Sequence, residues 1–281
     1  KQLANLFTDL WTQGTWNATT ASEADKLLLS PTITDADQCT IVSAVTLSTL
    51  RMFDPLKLLF LCDAYYHPKS TVSMRALVGI VIVCYCWCER IGYYGEAKAR
   101  LELLTDDPIF NGQVCDVILQ FTRSADTEEI DRKMREEIIP ELMKNPKLRR
   151  MPNIKKEDLG ADDINPDWEQ WMHESGLEES MREITEWQME GADVNMSTFS
   201  QLKRYPFFYN ISNWFRPFDA WQADVLGIIG NPNESSNPLG KTILQSNYMC
   251  DSDKYSFCYA IREIPQMQRE AMMAQLEEQN N

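Results

Sequence analysis

Histidine and glycine are scarce in this chain: two and eleven residues among 281. Two imidazoles leave little for a histidine-built metal centre or acid–base catalyst, because either needs several converging groups. So few glycines argue against a glycine-looped enzyme or a β-rich fold, and helices become the first expectation. Eight cysteines are too sparse for a small disulfide scaffold, and a reducing, cytoplasmic setting is the simpler expectation. Long hydrophobic runs are missing as well. The most apolar stretch, "ALVGIVIVCYCWC" at 76–88, is bounded by Arg75 and Glu89, whereas a membrane-spanning helix needs about 20 such residues. It reads as a buried core element. The opening "KQLANLFTDLWTQG" lacks the basic-then-apolar layout of a signal peptide, and its lysine start suggests a fragment.

Positive charge is also in short supply, with 27 bases against 42 acids and a net charge of -15. The imbalance is concentrated between residues 157 and 193, where thirteen acids face one base, Arg182. Just upstream, Lys147, Arg149, Arg150, Lys155 and Lys156 form the densest basic cluster, and its nearest complement is that acidic stretch. An acidic surface repels phosphates, which argues against nucleic acid as a partner. Asn17, Asn195, Asn210 and Asn233 each open an N-x-[ST] triplet, which carries little without export.

What the sequence does have is helix punctuation. Thr34 or Asp35 caps a helix bearing Ile41, Val45 and Leu50. Asp54-Pro55 and Asp107-Pro108 open two more, with proline where its missing N–H costs nothing. Ser124 or Asp126 caps another carrying Ile130, Met134, Ile138 and Leu142. The β-branched run from Ser70 to Ile91 lacks turn signals over its length, which favours a mostly buried helix capped by Ser70 or Thr71 over a strand. Residues 35–144 thus predict five or six consecutive helices stacked as hairpins. His67, before Pro68, ends one of them.

Within that region "HPKSTVSMRALVGIVIVCY" resembles the second-helix portion of a HEAT-type repeat. Pro68, Val72, Arg75, Ala76, Leu77 and Gly79 carry the likeness, over about one repeat. The resemblance implies an α-solenoid that offers its surface to other macromolecules.

Residues 145–164 read as a charged linker. Asn165-Pro166 then opens an acidic helical stretch with Trp168, Trp171, Met172, Met181, Ile184 and Trp187 on one side, broken near Gly176. Beyond Gly191 the helical rhythm stops. Nine of the chain's 29 aromatic residues fall between Phe199 and Trp221, at spacings that fit neither helix nor strand, with Pro206 and Pro217 among them. Such rings order only by finding pockets, because left in water they would form a patch that soluble monomers avoid. The segment is therefore expected to clamp the acidic helices onto the N-terminal array, with Arg204 and Arg216 stacking or pairing outward. A sharper expectation leaves Trp214, Phe215 and Phe218 as a contact for a protein partner. "GIIGNPNESSNPLGKTILQ" reads as a long loop, and helices are expected at 252–261 and 265–279.

Candidate chemistry is thin. "NPLGKT" ends like a phosphate loop, but Ser235 stands where the leading glycine is required, so a surface loop is expected. Cys84, Cys86 and Cys88 cannot share one helical face and read as buried packing thiols. Glu169, His173 and Glu174 are the one acidic grouping with a histidine nearby, and they define the alternative of a carboxylate- or metal-dependent hydrolase. A small-ligand receptor pocketed between helical units is a third option. The sequence as a whole predicts an all-α protein: a helical-repeat-like region to 145, a linker at 146–164, acidic helices plus aromatic clasp at 165–250, and a helical unit from 251 to 281. The expected function is a non-enzymatic scaffold that binds protein partners, without a cofactor, catalytic residue or membrane span.

Overall fold

Thr34, Asp54 and Asp107 each close the first turn of a helix, as their positions forecast. Thr34 Oγ1 accepts from the Asp37 amide at 3.2 Å, Asp54 Oδ1 from Leu56 at 2.8 Å, and Asp107 Oδ1 from Ile109 at 2.9 Å. In this computed structural model, which describes residues 2–140, 177–189, 192, 203–231, 238–246 and 249–264, they start α3 (Asp35–Arg51), α4 (Pro55–Tyr65) and α7 (Pro108–Arg123). Before them lie α1 (Gln2–Thr12) and α2 (Ala18–Leu28); between them lie α5 (Ser70–Ile91) and α6 (Gly95–Thr105). After α7 come α8 (Thr127–Lys133), α9 (Leu177–Met189), α10 (Ala223–Ile229), α11 (Pro238–Gln245) and α12 (Asp251–Glu263). The protein is all-α, and no strand occurs among the described residues. The chain divides into two compact units, one of Lys1–Ile118 with Leu202–Asn281, the other of Leu119–Gln201.

In the first unit α3 is the central rod, packed against α1, α4 and α5. It is buried on nearly every side, although the sequence gives it a single drifting face. The difference lies in its hydroxyls. Thr40, Ser43, Thr46 and Thr49 donate to the carbonyls of Ala36, Cys39, Val42 and Val45, one turn back, at 2.8–3.0 Å. Each polar group is thereby satisfied without leaving its own helix, and the methyl and methylene surface remains free to pack. Around this rod Val45, Leu58, Leu61, Val72, Ala76 and Leu77 are all but sealed from solvent. Burying one such aliphatic side chain contributes roughly 1.5–3 kcal/mol. Gly79 of α5 faces Thr46, and a Cβ at that position would run into the Thr46 hydroxyl.

Lys57 is fully buried beside the same core. Its ammonium donates to the carbonyls of Gln13 and Gly14 at 3.1 and 2.7 Å and to Ser48 Oγ at 2.9 Å. Burial pulls its pKa down from the usual lysine range. All three donor positions are occupied, so the amine pins the α1–α2 connection rather than standing ready as a nucleophile.

Two start signals and one thiol expectation are corrected here. Lys69, without a side-chain bond, precedes α5 in place of a Ser70 or Thr71 cap. At Ser124–Asp126 the chain continues helically through a 3-10 turn into α8, so Asp126 stands at the N-cap position as expected but its side chain makes no capping bond, and Ser124 lies within the turn. Cys84 is half-buried, but Cys86 and Cys88 are exposed. Near the end of α5 only part of the helix faces solvent: Ile91 is buried, and Trp87, where the backbone leaves helical geometry at φ -124°, ψ 19°, packs near Phe53. α5 is long and apolar enough to cross a membrane by length and composition. A span is not favoured, because Val72, Ala76, Leu77, Ile80 and Val83 bury its face in the core.

The phosphate-loop look-alike is also resolved differently from the expected loop. Gly240, Lys241 and Thr242 lie inside α11, which starts at Pro238. A short helix, α10, occupies another part of the same stretch. The helix at 252–261 is present as α12, a residue or two longer at each end, while 265–279 lies outside the described residues.

In the second unit α8 runs into a π-helical turn, Met134–Ile138. Ile130, Ile138 and Ile184 make a small core with Met134 and Trp187 beside it. Lys133 pairs with Glu183 of α9 and lies 5.6 Å from the Trp187 ring centre. Leu142, the linker 145–164, Trp168, Trp171, Met172 and the Gly176 break lie outside the described residues.

Candidate interaction site: the aromatic clasp

The segment from Lys203 to Ala220 is irregular for a local reason. Tyr205 is extended (φ -70°, ψ 145°), and Pro206 starts a 3-10 turn ending at Tyr209. Asn210 then caps a second, Ile211–Trp214, its Oδ1 accepting from the Ser212 amide and hydroxyl at 3.2 and 2.9 Å. Side chains tie the two turns together: Asn213 Nδ2 donates to the Phe207 carbonyl and Trp214 Nε1 to that of Phe208, both at 2.8 Å. The aromatic spacing therefore follows two successive short turns instead of one long period.

These turns aim their rings at α12. Phe207 lies 4.7 Å from Tyr255 and 5.4 Å from Tyr259 between ring centres, and Phe218 lies 5.1 Å from Tyr255. Tyr205 is 5.7 Å from Tyr259. Val225, Ile229, Ile243, Cys258 and Ile261 complete this second core. Tyr255 is its centre: the hydroxyl donates to the Pro217 carbonyl at 2.9 Å and accepts from the Asp219 amide at 3.0 Å. Desolvation pushes this phenol up to about 12. Beside it Lys203 meets Asp253 at 2.6 Å, both buried, and the ammonium sits 4.8 Å from the Phe208 ring centre.

The same segment reaches the N-terminal helices. Phe215 stacks on Phe7 of α1 with ring centres 5.6 Å apart. The Phe215 carbonyl accepts from Arg75 Nη1 at 3.0 Å, and Arg216 Nη1 donates to Asp37 Oδ1 at 2.9 Å. The other terminus of Arg75 lies 4.0 Å from Asp251.

Each sequence-derived candidate can now be placed. Trp214, Phe215 and Phe218 are half-buried and packed on the chain's own rings. Arg204 does stack and pair outward: it lies over Tyr205 and meets Glu263 at 2.8 Å, with the Arg204 and Glu263 side chains both exposed. Arg216 does not; it is directed inward to Asp37 because that carboxylate, at the start of α3, is the charge within reach. Among the described rings of this segment, those left in solvent are Tyr209, 80% exposed, and Trp221, 55% exposed. Glu169, His173 and Glu174 lie outside the described residues. Sequence reasoning missed Phe7, Asp37 and Arg75, which no local signal marks as partners of a segment at 203–220. It could have found Tyr255, whose spacing to Cys258 and Tyr259 gives α12 an apolar face.

The chemistry on offer is aromatic contact and cationic hydrogen bonding. Burial pushes the thiols of Cys258 and Cys62 up to about 12 and that of Cys84 to about 11, well away from thiolate reactivity. Among the described residues, no group of three or more His, Cys, Asp or Glu side chains is arranged to hold a metal ion. Comparison with protein-family models, curated proteins and solved structures found no match to this chain.

Proposed function

We propose that this chain is a non-enzymatic helical scaffold that binds a protein partner, in a reducing, cytoplasmic compartment suited to its exposed Cys86, Cys88 and Cys115. The stack of α3 to α6 supplies the HEAT-like platform, and the aromatic clasp fixes α12 against it. In this reading Trp214, Phe215 and Phe218 are the internal clamp. The contact surface offered outward is Tyr209 and Trp221, with Arg204 nearby in sequence. The observation that carries the proposal is the split within one segment. Tyr205 and Phe208 are buried, while Tyr209 and Trp221 keep most or about half of their surface in water. Tyrosine and tryptophan are among the residue types that dominate protein–protein contacts.

Paired alanine variants separate the two roles. Trp214→Ala with Phe215→Ala is expected to abolish the cooperative melting transition. Tyr209→Ala with Trp221→Ala is expected to melt like the wild type, yet lose the partner that the wild-type chain retains in cross-linked pull-downs from native extract. Equal capture by the wild type and the Tyr209/Trp221 variant would refute the proposed contact surface.

A further inference from the structure

α1 and α2 lie at the edge of the first unit and are each fastened elsewhere. α1 packs on α3 and on the turn Ile211–Trp214, and α2 packs on α4. Between the two helices is a half-open cleft of about 330 Å³. Its inner wall is apolar, formed by Leu6, Leu10, Ala24 and Leu27. Its mouth carries the carboxylates of Asp9 and Glu23, one from each helix and both exposed. The hydroxyls at the mouth are already engaged: Thr12 donates to the Thr8 carbonyl, and Thr20 to Asn17 Oδ1. The Gln13 side-chain oxygen accepts from Trp16. Among the described residues no cation pairs with Asp9 or Glu23.

We infer that this cleft receives a long basic side chain, arginine or lysine, from an amphipathic basic segment of a partner protein. The fit is both steric and electrostatic. Arginine and lysine have an apolar stem and a charged head, and they bury the first while keeping the second beside water or a counter-charge. Here the stem lies along Leu6, Leu10 and Leu27, and the head sits between Asp9 and Glu23. The volume is at the lower end for a small-molecule pocket, which suits one or two side chains better than a whole cofactor. A partner with basic charge is also drawn to a chain of net charge -15. Leucines placed one helical turn from the inserted residue would cover the rest of the apolar wall, as in helix-in-groove recognition.

This site is separate from Tyr209 and Trp221 and does not depend on them. The test uses the full chain and a fluorescein-labelled helical peptide of leucine, alanine and arginine, with arginines at i, i+4 spacing. A matched peptide carries glutamine in place of each arginine. Saturable binding of the arginine peptide is expected, weakened about tenfold or more by Asp9→Asn with Glu23→Gln. Weakening of similar size is expected for the glutamine peptide. A charge-matched control, Glu89→Gln with Glu96→Gln, and the Tyr209→Ala/Trp221→Ala variant should both bind like the wild type. Circular dichroism confirms that each variant is folded. Unchanged binding by the Asp9/Glu23 variant would overturn the inference, as would equal loss in the Glu89/Glu96 control, since only net charge would then be at work.

Discussion

A row of buried hydroxyls in α3 and the buried polar groups of the aromatic clasp are satisfied over very different distances along the chain. In α3 the buried hydroxyls of Ser43, Thr46 and Thr49 find carbonyls four residues away. In the clasp, Lys203 finds Asp253 across 50 residues, Tyr255 finds Pro217 across 38, and Arg216 finds Asp37 across 179. Those three hydroxyls need only bonds that any helical turn supplies, whereas Ser48 and Lys57 reach back to the Gln13 carbonyl across 35 and 44 residues. The clasp has local bonds within its two turns, but its buried pairs form only when distant segments have met. Its rings contribute apolar burial and its ion pair fixes which segments meet. Removing one of the clasp's buried partners should accordingly be far more costly than removing one of these α3 hydroxyls.

The largest effect is expected at Lys203. Replacing it by methionine strands the Asp253 carboxylate among Phe208, Ser256 and the second core. Removing one partner of a buried pair costs about 3–5 kcal/mol. Urea melts should show a correspondingly lower midpoint for Lys203→Met, and the added change Asp253→Leu should recover much of it. A Lys203→Met protein as stable as the wild type would mean that the pair does not organise the clasp.

Tyr255→Phe comes next. It keeps the ring against Phe207 and Phe218 but removes the hydroxyl that joins the Pro217 carbonyl to the Asp219 amide. Leaving those groups without the hydroxyl costs about 1–3 kcal/mol near neutral pH. The variant also changes the alkaline limb. The folded state holds the Tyr255 proton up to about 12, against 10.0 for an unfolded tyrosine. Its contribution is therefore full below pH 10 and is lost as pH rises from 10 towards 12. Cys258, raised from 9.0 to about 12 by the same desolvation, adds a parallel loss. Stability measured between pH 9 and 12 should fall less steeply for Tyr255→Phe than for the wild type. Identical slopes would show that the phenol is not held protonated by the clasp.

The same contrast explains what could be read from the sequence. Capping residues act within one turn, so Thr34, Asp54-Pro55 and Asp107-Pro108 announce their helices, and the fold class follows. Asn17 and Asn210, which match a glycosylation triplet, serve the same capping role: each side chain accepts from an amide two or three residues on. The burial of α3 on all sides was hidden because serine and threonine count as polar until their i−4 partners are seen. The clasp was legible as a cluster of rings needing pockets, but its partners were not. Nothing near residue 215 points to Phe7, and nothing near residue 216 points to Asp37. Which rings stay outside is equally non-local: Phe208 and Tyr209 are neighbours, and only the turn geometry sends one into the core and the other into water.

The smallest effect is expected at Arg204, and it tests whether burial grades the clasp's cations. Arg204 and Lys203 are adjacent, both face a carboxylate on α12, and both lie over a ring. They differ in exposure: the Lys203–Asp253 pair is sealed, whereas the side chains of Arg204 and Glu263 are 63% and 56% exposed. Solvent and salt screen the exposed pair, and holding two long side chains together costs rotamer freedom that offsets the attraction. Arg204→Ala should melt indistinguishably from the wild type at physiological salt. If partner capture nevertheless falls, Arg204 belongs with Tyr209 and Trp221 in the contact surface. A melting loss as large as that of Lys203→Met would instead show that sequence position in the clasp, and not burial, sets the strength of its ion pairs.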